Sequence, residues 1–158
     1  MTTLTVEAFC HVTLHVNHLD TTLAFYRDVV GLRVLFDLDL AGPGLDAITG
    51  KQGAAGRMVG LAVAGGTMIE LVEGVPRPGG NGPVTGHEDS LIFSLAVADI
   101  EATYATIVAA GVETLQEPSE IHGVRMFFAR DPDGRRIEFA QYPEGATRAA
   151  EMYDEPST

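Results

Sequence analysis

Cysteine is all but missing from this chain. Cys10 is the only one in 158 residues, which excludes an internal disulfide and any multi-cysteine zinc site. Basic residues are scarce as well: ten Lys and Arg stand against twenty-two Asp and Glu, a net charge of −12. So acidic a chain repels phosphate backbones and anionic bilayers, so no nucleic-acid partner and no membrane partner is expected. No apolar run approaches the roughly 18–20 residues that a membrane span needs. The stretch Met1–Phe9 has neither the basic patch nor the apolar run of a secretion signal. Hydrophobic residues make up 46% and charged residues 20%, enough for a packed core. A soluble, cytoplasmic protein of ordinary domain size is expected.

The chain also repeats itself. HVTLHVNHLDTTLAFYRDVVGLRVLF, from His11 to Phe36, runs parallel in character to IFSLAVADIEATYATIVAAGVETLQ, from Ile92 to Gln116. Each copy opens as a strand and continues as a helix. Leu19, Leu23, Tyr26 and Val30 carry the helical stripe in the first copy, and Ile100, Tyr104, Ile107 and Val108 in the second. Asp99 is the expected N-cap of the second helix, with Asn17 or His18 entering the first. Gly31 and Gly111 stand where a glycine ends a helix, and a further strand should follow each. Downstream, Gly66-Thr-Met-Ile-Glu70-Leu matches Gly134-Arg-Arg-Ile-Glu138-Phe. The copies differ most at Asp37–Gly60, a Gly/Ala-rich segment expected to be a lid or a flexible loop. PRPGGNGPVTG, residues 76–86, reads as a linker, and 144–158 as a polar tail. A single domain over 1–158 follows, made of modules 9–75 and 87–143, each strand–helix–strand–strand–strand. Two curved half-barrels side by side would leave a concave face for a small molecule.

The repeat makes His11 equivalent to Ile92 and Glu70 equivalent to Glu138. A carboxylate in an apolar strand is costly unless it is paired or bound to a cation, and a divalent metal would relieve two of them. The alternative is that each strand is half-exposed and its glutamate faces water. His15 shares a strand face with His11 but lies about 13 Å along the strand, too far to share an ion. It is read as a hydrogen-bonded core histidine or a pocket wall, beside Thr13, Met68, Ile92 and Ser94. His18 should start a helix and His122 occupy a turn. His87 could reach the site only through an unusual loop. Cys10, alternating with His11, is expected to be buried. Arg57, Arg125, Arg135 and Arg136 are read as solvated surface charges, able at most to clamp an anion. Asp131-Pro132-Asp133-Gly134 is a turn.

HVTLHVNHLDTTLAFYRDVVGL, VADIEATYATIVAAGV and DPDGRRIEF together resemble the vicinal oxygen chelate superfamily, the glyoxalase, bleomycin-resistance and extradiol-dioxygenase group, over roughly residues 9–143. The resemblance implies an α+β fold of two tandem βαβββ modules, a curved mixed-sheet half-barrel cleft. It also implies metal ligands at His11, Glu70 and Glu138, the fourth position being Ile92, which has no donor atom. The cofactor implied is a divalent metal (Mn, Mg, Co, Ni or Zn), or none, given Ile92. In metal-dependent members the chemistry is proton transfer next to a carbonyl, of isomerase or lyase type, with Glu138 the first choice of proton carrier and Glu70 the second. The alternative is a metal-free, bleomycin-resistance-like protein that sequesters a small molecule. A metal-free general-base enzyme comes third and a dioxygenase last. A homodimer is expected.

Overall fold

The computed structural model describes residues 9–77, 91–143, 146 and 151. Most of the linker, His87 and nearly all of the tail therefore lie outside the described residues. The chain divides into two compact units, Met1–Val84 and Thr85–Thr158. Each holds one four-stranded mixed sheet, so the fold is α+β, built from two tandem modules. Among the described residues no helix is long and apolar enough to cross a membrane.

The first unit runs β1 (His11–His15), α1 (Leu19–Ala24), a π-helical turn (Phe25–Val29), β2 (Arg33–Ala41), α2 (Pro43–Thr49), β3 (Ala55–Ala62) and β4 (Met68–Glu73). Its sheet order is β1-β4-β3-β2, with β1 parallel to β4 and the other pairs antiparallel. Parallel neighbours need a crossover, and α1 begins it. Leu19 and Leu23 from α1, with Phe25 and Tyr26 from the turn that follows, are buried along with Leu14, Val59, Leu61, Ile69 and Leu71. These strand positions share one face by period-two alternation. Each such side chain contributes roughly 1.5–3 kcal/mol on burial.

The second unit runs β5 (Phe93–Ala96), α3 (Ile100–Ala109), β6 (Ser119–Ile121), β7 (Val124–Arg130) and β8 (Arg136–Gln141), in order β5-β8-β7-β6. Its core joins Ile100 and Ile107 of α3 to Leu95, Phe127, Ile137 and Phe139, all buried. The Phe127 and Phe139 rings stack at 5.1 Å, and Tyr104 meets Phe127 edge-on at 5.1 Å. Val108 departs from the expected stripe and is exposed, because the buried arc of this helix is narrow.

Both helical segments end at a glycine. Gly31 and Gly111 take positive φ of 85° and 73°. The Val112 amide reaches back five residues to the Ile107 carbonyl, the Schellman arrangement, whereas the Leu32 amide reaches back six to Tyr26, since the turn before it is π-helical. Asp99 caps α3 by accepting from the Ala102 amide, whereas His18 at the start of α1 makes no side-chain cap.

Three expectations need correction. Asp37–Gly60 is not a flexible loop but strand, helix and strand. Alternating Phe36, Leu38 and Leu40 carry β2 to Ala41, Pro43 opens α2, and Asp46 Oδ1 accepts from the Ala54 amide to lead the chain into β3. The strand expected after Gly111 is broken into an isolated bridge, Thr114 with Ala129, and the three-residue β6. Pro118, which has no amide hydrogen to give a ladder, stands between them. Cys10 is exposed, since it precedes β1 and the strand's alternation does not reach it.

The arginines read as solvated are instead engaged. Arg57 donates to both Asp37 and Asp20, clipping α1 to the edge of its sheet. This pairing holds the Asp37 carboxyl below its ordinary range and the guanidinium above its own. A depressed carboxyl stabilises the fold above its unfolded pKa of about 3.9 and loses that contribution as pH falls through the folded value. Arg125 pairs with Glu101 of α3. Asp131, its side chain fully buried, accepts from the backbone amides of Asp133 and Arg135 and from the Arg135 guanidinium. Removing that acceptor strands buried donors, each costing about 1–3 kcal/mol. Asp131→Ala should therefore lower unfolding stability by about 2–4 kcal/mol in urea denaturation; a loss below about 0.5 kcal/mol would mean the turn does not depend on this carboxylate.

Candidate functional site

The face of the first sheet opposite its core carries the candidate residues of the first copy. Along β1 it presents His11, Thr13 and His15; along β4, Met68, Glu70 and Val72; along β3, Met58 and Gly60; along β2, Phe36 and Leu38. Register fixes this set, since Thr13 lies opposite Glu70, Glu70 opposite Gly60 and Gly60 opposite Phe36. The Thr13 hydroxyl donates to Glu70 Oε2 at 2.9 Å, and His11 Nε2 lies 3.5 Å from the same oxygen. The Glu70 side chain is 12% exposed and that of His11 43%. A half-buried carboxylate thus leans toward β1, tethered by one hydroxyl and faced by one imidazole. His15 ends β1 on the same face, half-buried.

The other side of Glu70 is apolar. A Cβ on Gly60 would lie 2.4 Å from Phe36 Cε1 and 2.5 Å from its Cζ, so the Phe36 ring lies across the bare backbone of β3. Four residues earlier, a Cβ on Gly56 would lie 2.5 Å from both the Glu73 carbonyl oxygen and Val75 Cγ2. Close approach, not turn geometry, favours glycine at both positions, against backbone at Gly56 and against a side chain at Gly60. Neither Phe36 nor Gly60 stood out in the sequence; the signal was two glycines four apart in a strand, which put both on one face.

The second sheet repeats the register. Ser94 lies opposite Glu138 as Thr13 does opposite Glu70, and Ile92 stands two residues before Ser94 as His11 does before Thr13. Ile92 is 36% exposed. Phe128 lies opposite Glu138, with the Arg136 guanidinium over its ring at 5.1 Å. Glu138 is half-buried and, among the described residues, has no hydrogen bond or ion pair. His18 enters α1, and His122, at φ 50°, occupies the turn before β7.

As donors for a metal, His11 and Glu70 are compatible: two ligands about 2.1 Å from one ion at a tetrahedral angle stand about 3.4 Å apart. Among the described residues no group of three His, Cys, Asp or Glu is gathered about a point. Two protein donors suit a hard divalent ion that keeps water and takes substrate oxygens, as Mg²⁺ does, better than a closed structural site.

Residues 8–139 match the Glyoxalase/Bleomycin resistance protein/Dioxygenase superfamily, and the chain belongs to that family. It is 26% identical over 142 residues to virulence protein STM3117 of Salmonella typhimurium, covering 87% of this chain and 85% of that one. The fold is shared with a glyoxalase family protein from Bacillus cereus, at TM-score 0.76 and 20% identity over 89% of this chain and 97% of that one. It is shared too with TnmS3, an antibiotic-binding protein from Streptomyces sp. CB03234, at TM-score 0.64 and 22% identity over 89% and 100%.

The two glycines should respond differently to substitution. Gly56→Ala meets backbone and should cost about 1–3 kcal/mol, read by urea denaturation. Gly60→Ala meets a side chain that can turn aside, so it should cost less while displacing the Phe36 ring, read as a change in ring-current shifts of β3 and β4 protons. Equal costs would mean that the two contacts are equally rigid.

Proposed function

We propose that this chain is a divalent-metal-assisted isomerase or lyase that moves a proton next to a carbonyl of a small oxygenated substrate. The observation that carries the reading is the His11–Glu70 pair at 3.5 Å on the sheet face opposite the core. A divalent ion held there would polarise a substrate carbonyl oxygen. Thr13 fixes the orientation of Glu70 by donating to it, which leaves His11 and Glu70 as binding groups. Glu138, without a partner among the described residues, is the proton carrier: a carboxylate not already committed to a donor can take a proton and return it. Met68, Ile92 and Ser94 are proposed to border the substrate, with His15 as a wall.

A second reading is metal-free sequestration of a cationic small molecule. It is favoured by Ile92, which supplies no donor, by the net charge of −12, and by the fold shared with an antibiotic-binding protein.

Metal titration together with solvent-deuterium exchange into hydroxyacetone separates the two. On the first reading the protein binds a divalent ion, Glu70→Gln weakens that binding at least about tenfold, and Ile92→His tightens it. Glu138→Ala then abolishes exchange while the ion stays bound. On the second, Glu70→Gln lowers only affinity for a cation, more at low salt than at high. No divalent binding by the unmodified protein would overturn the first reading.

A further inference from the structure

We infer that Phe36 selects the substrate: its ring is a stacking platform for a planar, aryl-type group next to the atoms that Glu70 and His11 handle. The inference rests on the site proposed above and adds the class of substituent that its ligand carries. One face of the ring lies against the Gly60 backbone, so close that a single Cβ there would come within 2.4 Å of it. Gly60 is the register partner of Glu70, which puts the ring about one strand spacing, ~4.8 Å, from the Glu70 backbone. Glu70 leans the other way, toward Thr13, so its carboxylate is not directed at the ring. Phe36 is no part of the core, which lies on the opposite face of this sheet among Val59, Leu61 and Leu71. Only half-buried, it keeps apolar surface available, and Leu38, 49% exposed, continues that surface along β2.

The second unit shows what such a ring can do. There too a phenyl ring stands opposite the strand glutamate, Phe128 beside Glu138, although it comes from the adjacent strand itself. That ring already carries a flat group: the Arg136 guanidinium, centred 5.1 Å above it. The residue in the place of Arg136 in the first unit is Met68, two before Glu70 as Arg136 is two before Glu138. An arginine stacked on a ring beside a carboxylate in one unit therefore corresponds to a ring beside a carboxylate with no guanidinium from that position in the other. A planar group of the ligand would use the ring of the first unit as Arg136 uses that of the second. Aromatic stacking beyond simple area burial corresponds to about two- to tenfold in affinity.

Two neutral probes that differ only in that group test the point: 2-hydroxyacetophenone and its saturated analogue, cyclohexyl hydroxymethyl ketone. Both present the same vicinal oxygens and nearly the same apolar area, and only the first is planar. Titrated into the full ¹⁵N-labelled chain in the presence of Mg²⁺, the aryl ketone should bind about two- to tenfold more tightly, with the largest amide shifts at Phe36, Gly60 and Glu70. Phe36→Leu should bring the ratio to about one and leave the cyclohexyl affinity within about twofold, whereas Phe36→Trp should preserve the preference. Equal affinities in the unmodified protein, no binding of either ketone, or a preference that survives Phe36→Leu would overturn the inference. If the aryl preference depends on Phe36 while divalent binding and exchange are absent, the enzymatic reading falls and this one stands. If exchange is present and the two ketones bind alike, only this one falls.

Discussion

The parallel pairing of the first and last strands in each unit is the constraint on which the rest depends. An antiparallel partner can be reached through a two-residue turn, but a parallel one requires the chain to cross back over the sheet. In both units that crossover includes an amphipathic helix whose apolar side is buried with one face of the strands. The opposite face gains no cover from the unit's own helix. Parallel register then places a hydroxyl opposite a glutamate, Thr13 opposite Glu70 and Ser94 opposite Glu138. The functional face and the core are thus two consequences of one connection. A change that slipped this register by one residue would send both carboxylates into the core.

Much of this was legible in the sequence because it rests on periodicity and on residues whose chemistry is local. The helix stripes, the Asp99 cap and the glycines at 31 and 111 are each fixed by neighbours within about one turn, and all but Val108 of the second stripe are found where the residues put them. The equivalence of Glu70 with Glu138 was legible for a different reason: each glutamate stands four residues after a turn glycine, Gly66 or Gly134, in matching apolar surroundings. At residues 37–60 composition misleads, because glycine and alanine suggest looseness. There the alternation of Phe36, Leu38 and Leu40 outweighs composition, and Pro43 with Gly50 frames a helix.

What sequence could not supply was the partner of a long side chain. Arg57 reaches an aspartate on α1 and another on β2, and such reach depends on which elements pack together, not on spacing along the chain. The same holds for Phe36, which in sequence is one more apolar residue of an alternating strand. Only the absent Cβ at Gly60 shows that its ring lies over the neighbouring strand.

The hairpins that carry the two glutamates differ in how firmly they are closed. The β7–β8 turn is bolted by Asp131, which gathers two backbone amides and a guanidinium in the protein interior. The β3–β4 turn has no such bolt: it passes through Gly65 and Gly66, both at positive φ, and closes through the Val63 amide on the Thr67 carbonyl. Two copies of one module have therefore come to hold equivalent carboxylates on mounts of unequal compliance. Local opening follows the weakest closure, so of the two hairpins the first has the less constrained turn. A duplicated fold has thus fastened its two halves unequally.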